Sequence, residues 1–308
     1  MDFKFQRGIR MIRQMLASIL TYAGVMLTFV FWYAFIPLQD KFVEWQRDPV
    51  NLGISLAIWG LLGGISCLFM SRHIATWAMR VDFAEAEASD VDIKKAMMVL
   101  TRTQKRLEFK YKPQLGVYEN DEINGFMVGL TMRRSTLTLS RGALRNLSEG
   151  DLEILMSREL LHFKSGDVHA LAFMQGVIFA FTLYVSRMLA FLMGTSLRQT
   201  EEEVTSSQGI EMLLTTVLLV LLTLPGAIVF WLFSRSSALR ADAAVAQVYG
   251  QAAYASFLAR LQGQRPPKSE IFSDAFKLQS QTYPHWLSWL SLQPELAFRS
   301  RMLAPLSK

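Results

Sequence analysis

Four apolar stretches, residues 15–38, 51–70, 170–194 and 212–233, constrain what this chain can fold into more than any other feature. Each is close to the roughly 20 residues that cross a bilayer as a helix. Buried helices of soluble proteins rarely run so far without charge, so all four are read as transmembrane helices. The first is too long for the apolar region of a signal peptide and no small-x-small cleavage site follows it, so it is expected to stay as a span. The one charge inside the four stretches is Arg187. A charge within a span is a functional candidate by default. Its long side chain can also reach the interface about 10 Å away, and that bland role is the preferred reading.

Lys and Arg set the expected orientation. Lys4, Arg7, Arg10 and Arg13 precede the first span, and the stretches after the second and fourth spans are rich in both residues. Residues 39–50 are mixed, and the segment after the third span carries Glu201, Glu202 and Glu203. Both termini and the long middle segment are therefore expected in the cytoplasm. This divides the chain into residues 1–70 with two spans, a soluble segment 71–169, residues 170–233 with two spans and a short external loop, and a soluble segment 234–308. The two soluble pieces together make about one ordinary domain and are expected to pack on each other. The net charge of +6 follows this asymmetry. No basic stripe with interleaved aromatics occurs, so nucleic acid is not an expected partner. The single cysteine, Cys67, lies inside the second span and excludes internal disulfides and a cysteine-based zinc site.

In the first soluble piece, residues 91–107 read as a helix with Ile93, Ala96, Met97 and Leu100 on its apolar face. Residues 115–118 and 135–140 read as short strands; the second, Ser135-Thr136-Leu137-Thr138-Leu139-Ser140, alternates in β-favoured residues. Ser148 is an N-cap with an acidic first turn behind it. In the second piece, residues 236–249 and 254–261 read as helices, with Gly250 as the C′ residue between them. Residues 264–267 read as a loop. Trp286-Leu287-Ser288-Trp289-Leu290 reads as core packing, with headgroup contact as the alternative.

The helix that Ser148 opens contains Arg158-Glu159-Leu160-Leu161-His162. With histidine at 158 this would read HExxH, in which two histidines at i and i+4 share a zinc ion and the glutamate acts as base. The longer stretch LSEGDLEILMSRELLHFKSGD, the later FSRSSALRADAAVAQVYG, the strand STLTLSRGAL, the upstream KPQLGVYENDEINGF and the four spans together resemble the HtpX-like integral-membrane zinc metalloproteases. The resemblance implies an α-helical membrane protein with an α+β cytoplasmic domain, a gluzincin-like fold with a small β-sheet, in a bacterial inner membrane. It also implies a third zinc ligand, a glutamate from the helix after the fourth span, and an open fourth position for the attacking water.

The chain departs from that set at both ends. The first histidine is Arg158, and the later glutamate falls at Ala238; Glu159 and His162 are kept, as is Asp242, which in the family lies near the first histidine. A His-Pro segment usual near the family's C-terminus is here Gln293-Pro294-Glu295. His169 cannot replace the lost ligand, because seven residues along a helix is about 10 Å and zinc needs its nitrogens at about 2 Å. Nothing places His73 or His285 nearby, and Arg158 would bring a permanent positive charge to the metal position. No cofactor is expected. Arg158 is instead expected to fill the metal's space and to pair with Glu159 and Asp242.

The resulting expectation is a catalytically inactive relative that binds or regulates a membrane-protein partner or serves as a subunit of a membrane complex, with a second copy of the chain among the candidate partners. Residues 135–140 are expected to form an edge strand that accepts an extended segment of that partner. The alternative is an active membrane zinc endopeptidase with an atypical metal site, working in membrane-protein quality control. A transporter fits less well, since the spans hold few polar groups and no paired broken segments.

Overall fold

The structure, a computed structural model, describes residues 48–84, 90–197, 204–262 and 294–303. The 15–38 stretch, residues 264–267 and the segment 286–290 lie outside them. The chain divides into two compact units, Met1–Ile58 and Trp59–Lys308. Of the first, only residues 48–58, which begin helix α1 (Pro49–Ala78), are described.

Three of the described helices are long and apolar enough to cross a membrane: α1, α5 (Asp167–Leu197) and α6 (Val204–Tyr249). Two of them approach with almost no side chain between. A Cβ on Gly63 of α1 would fall 2.6 Å from the Gly176 carbonyl oxygen of α5, and one on Gly176 would fall 2.3 Å from that of Gly63. Small residues let membrane helices meet backbone to backbone, where van der Waals packing replaces the missing hydrophobic drive.

Outside these three helices the described residues form β1 (Asp82–Phe83), α2 (Val91–Arg106), β2 (Gln114–Tyr118), β3 (Gly125–Val128), β4 (Thr136–Ser140), α3 (Arg141–Asn146), α4 (Glu149–Lys164), α7 (Gln251–Gln262) and α8 (Leu296–Leu303). Asp90 caps α2, its side chain accepting from the Asp92 amide, and Ser148 caps α4 by accepting from the Asp151 amide. Each satisfies a helix-start N–H that would otherwise lack a partner. Gly250 ends α6 with a φ of +87°, a conformation favourable to glycine, and α7 starts at the next residue.

The sheet order is β1-β2-β4-β3, with β2 and β4 parallel and the outer pairs antiparallel. This corrects the expectation for residues 135–140. They form an interior strand, not an edge. Leu137 and Leu139 face the main core beside α4, while Thr136 and Thr138 are equally buried on the opposite side. There Val81, Tyr118, Phe126 and Val128 form a second, smaller core with Ala75 of α1. The alternation of Thr and Leu looks half-solvated in sequence, but threonine fits both environments. The strand that takes the edge, Gly125-Phe126-Met127-Val128, is short and does not alternate, so it gives little signal.

Helix α4 is the centre of the sheet-containing part. Twelve of its sixteen residues are buried, charged ones included, so it is enclosed by its neighbours and is no surface amphipath. It packs against α2, β3 and α6. After Ser165 and Gly166, whose φ is +81°, the chain turns directly into α5 at Asp167, three residues before the apolar stretch. The expected break between the fourth span and a separate helix at 236 is absent. α6 is one helix of 46 residues with Pro225 inside it. The polar run Ser234-Arg235-Ser236-Ser237 suggests a break, but a helical serine can bond its own preceding turn, and Ser236 Oγ donates to the Phe233 carbonyl at 2.8 Å.

Candidate functional site

α4 and the lower end of α6 bring the sequence-predicted residues together. Arg158 Nε donates to Asp242 Oδ1 at 3.0 Å, and its Nη1 donates to Glu159 Oε1 at 2.5 Å. All three side chains are nearly inaccessible to solvent. A second guanidinium completes the cluster. Arg299 of α8 is fully buried and grips Asp242 with Nε to Oδ2 at 2.6 Å and Nη2 to Oδ1 at 2.7 Å. Tyr254 of α7 donates its hydroxyl to Asp242 Oδ1 at 2.7 Å. Asp242 therefore joins four helices: α4, α6, α7 and α8.

Arg299 was missed in the sequence. It lies 57 residues beyond Asp242, and one arginine in ELAFRSRML carries no local signal for burial. The polar end of α4 is held by other cross-ties. Ser157 Oγ and the Tyr249 hydroxyl are 2.7 Å apart, and that hydroxyl donates to Glu153 at 3.1 Å. Arg106 of α2 pairs with the same Glu153 and lies 4.4 Å over the Tyr249 ring. Arg240 of α6 forks onto Asp167 through Nη2 at 2.7 Å and Nε at 3.2 Å, fixing the start of α5 against α6.

His162 lies one turn beyond Arg158 on α4, as the spacing requires, but its Nε2 is 2.6 Å from Ser237 Oγ. His169 turns elsewhere; its Nε2 donates to the Leu130 carbonyl at 3.0 Å and its ring meets the edge of Phe163. His73 sits on α1, and His285 lies outside the described residues. Ala238 is buried on α6, one turn before Asp242. Arg187 falls on α5, and its side chain lies outside the described residues.

The electrostatics follow from burial and pairing. Burial opposes the charge on Arg158, but the Glu159 and Asp242 carboxylates outweigh it and raise its pKa. Arg299 behaves alike, with burial overcome by Asp242 and Tyr254. Burial pushes the Glu159 carboxyl up, although Arg158 pulls the other way. Burial, with the nearby Arg158 charge, lowers His162 to about 4, so it stays neutral. Two cations and two acidic groups thus share one buried site.

The donor set does not fit a zinc ion. The position of the first histidine holds a guanidinium, which only donates. Ala238 has no ligating atom, and the His162 nitrogen that faces α6 is taken by Ser237. Arg158 Nη2, buried and without a hydrogen-bond partner among the described residues, adds a further donor where a metal needs acceptors. What the arrangement does chemically is bind carboxylates, not cations.

The His162 environment gives a pH prediction. Its folded pKa of about 4 lies below the ordinary value of 6.5. Between these values the unfolded chain takes up a proton that the folded chain refuses. Stability is therefore unaffected above about pH 7, falls as pH drops through that window, and levels off below it, for a total of about 3 kcal/mol. Unfolding midpoints measured across this range in detergent should fall less steeply for His162→Gln, which keeps a polar group near Ser237 but cannot titrate.

The sequence model of peptidase family M48 matches residues 90–301. Protease HtpX of Pasteurella multocida (strain Pm70) is 28% identical over 222 residues, covering 72% of this chain and 75% of that protein. Protease HtpX of Tolumonas auensis is 29% identical over 217 residues, covering 70% of this chain and 74% of its own length. Among solved structures, the crystal structure of S. mikatae Ste24p aligns with a TM-score of 0.53 at 15% identity, covering 95% of this chain. This chain spans 65% of that structure, and at such identity the likeness concerns the fold.

Proposed function

The chain belongs to peptidase family M48, and from that premise we propose that it is an HtpX-like multi-pass membrane protein whose peptidase centre has become an ion-paired core. The observation that carries this reading is the buried Arg158 guanidinium, bonded to both Glu159 and Asp242 where the family's first zinc-binding histidine stands. The charge the metal would supply comes from an arginine, and the helices a metal would join are joined through Asp242. A protein built this way binds and presents rather than cleaves. Its role is to hold a segment of another membrane protein or to act as a subunit of a membrane complex. An extended segment adding to the sheet would pair with the outer strand β3, since β4 is paired on both sides. Its place is a bacterial inner membrane, with the soluble part and both termini on the cytoplasmic side, where the Lys and Arg flanks direct it.

A second reading, a working membrane endopeptidase in membrane-protein quality control, has its own support. Glu159 and His162 keep the ExxH part of the HExxH motif, and the relatives from P. multocida and T. auensis carry the name protease. One experiment separates the two. Purified full-length protein is assayed for bound zinc by elemental analysis and for cleavage of an unfolded membrane-protein substrate. The proposal expects neither. Stoichiometric zinc that a chelator removes together with proteolysis overturns it.

The reverse substitution adds a prediction. Arg158→His with Ala238→Glu rebuilds a three-ligand set of two histidines and a glutamate. Residue 238 lies four before Asp242, on the face of α6 that meets α4. The double variant is expected to bind about one zinc per chain, and either single variant much less. Equal zinc uptake by all three and by the wild type would show that Arg158 does not exclude the ion.

A further inference from the structure

At the C-terminal end of α4, residues 109–111 and 130–132 line an open groove of about 380 Å³ with Phe163 and Lys164. Phe109 and Phe163 supply apolar wall, Lys110 and Lys164 are exposed cations, and Leu130 and Tyr111 are exposed at 38% and 44%. Each ammonium hovers over an aromatic ring: Lys164 Nζ is 5.4 Å from the centre of Phe109, and Lys110 Nζ is 5.4 Å from that of Tyr111. The segments 108–112 and 130–134 carry Lys110, Lys112, Arg133 and Arg134 against one acid, Glu108.

The segment 130–134, part of which lines the groove, is hydrogen-bonded to α1 and α5. His169, the residue just before the third apolar stretch, donates to the Leu130 carbonyl. Arg72, two residues past the second apolar stretch, donates to the Arg134 carbonyl at 3.2 Å and to Gln114 at 2.8 Å. The segment 130–134 is thereby tied to α1 and α5 close to the ends of their apolar stretches.

We propose that this groove binds the headgroup of an anionic phospholipid from the adjoining leaflet. The phosphate sits between Lys110 and Lys164, and Leu130 and Tyr111 meet the glycerol and upper acyl region. A soluble phosphate would explain the lysines but not an exposed leucine and tyrosine beside them. An apolar ligand would explain those two but not the two lysines. An amphiphile at the bilayer edge uses both, since basic residues near an anionic surface attract it and aromatic residues favour the headgroup level. The inference is independent of whether the Arg158 site is idle or active.

The test uses the full chain in nanodiscs of phosphatidylcholine mixed with phosphatidylglycerol, released into the gas phase for native mass spectrometry. The wild type should retain phosphatidylglycerol over phosphatidylcholine. Lys110→Gln with Lys164→Gln should weaken that retention about thirtyfold, about fivefold per lysine near an anionic surface. Lys94→Gln with Lys105→Gln, which removes the same charge from exposed positions on α2 that do not line the groove, should leave it intact. Three results would overturn the proposal: no phosphatidylglycerol preference in the wild type, an equal loss in both double variants, or displacement of the lipid by inorganic phosphate alone. Circular dichroism on each variant separates a lost site from a lost fold. If the lysine pair unfolds, Leu130→Ser with Tyr111→Ser must lower retention in a folded protein, or the proposal fails.

Discussion

Asp242→Ala is expected to lower stability by about 3–5 kcal/mol, the cost of stripping the partner from a buried ion pair. Here the loss falls on two guanidinium groups at once. Arg158 keeps only Glu159, whose carboxyl is itself pushed toward the neutral form by burial. Arg299 loses both of its bonds to Asp242, and the Tyr254 hydroxyl loses its acceptor. Thermal unfolding of the purified protein in detergent measures the effect. Asp242→Asn should fall in between, because an amide oxygen still accepts hydrogen bonds but no longer balances charge. If Asp242→Ala unfolds like the wild type, the cluster contributes nothing to the fold.

Arg299→Ala is expected to cost about 3 kcal/mol or more by the same reasoning, with a local signature. Arg299 is among the largest fully buried side chains, and its bonds to Asp242 and Tyr254 anchor α8. Its loss should free the C-terminal segment before the rest of the soluble part opens, so limited proteolysis should cut there first. Arg299→Lys should rescue poorly, because one ammonium cannot reproduce the two-nitrogen grip on a carboxylate. Arg299→Met separates charge from volume: if it is as stable as the wild type, filling the space matters and the ion pair does not.

Legibility in the sequence followed the range of the interaction. The Ser148 start depends on a neighbour three residues away, and helices α2 and α4 are readable from their periods. Arg158, Glu159 and His162 were singled out because their spacing resembles a metal site and Asp242 through the family resemblance, and the structure brings all four to the meeting of α4 and α6. Arg299 and Ser237 were not, since each acts through a partner far along the chain and neither residue type marks its own burial. The position of residues 135–140 in the sheet was misjudged for a related reason. A strand's period shows which residues alternate but not how many strands flank it, and Phe126 and Leu115 close β4 from both sides through pairings the pattern does not encode.

The continuity of α6 ties depth to bearing. At about 1.5 Å and 100° per residue, its 46 residues form a rod roughly 70 Å long. One residue inserted between Phe233 and Ser237 would leave every lipid-facing side chain above it undisturbed. Below it, Ser237 and Asp242 would swing about 100° around the axis, away from His162 and Arg158. A loop in this place would absorb such a change, but an unbroken helix transmits it whole. The spacing between the bilayer anchor and the buried carboxylate is therefore under the same constraint as the identity of the carboxylate, although no residue in the intervening stretch touches Arg158 in the hydrogen bonds described.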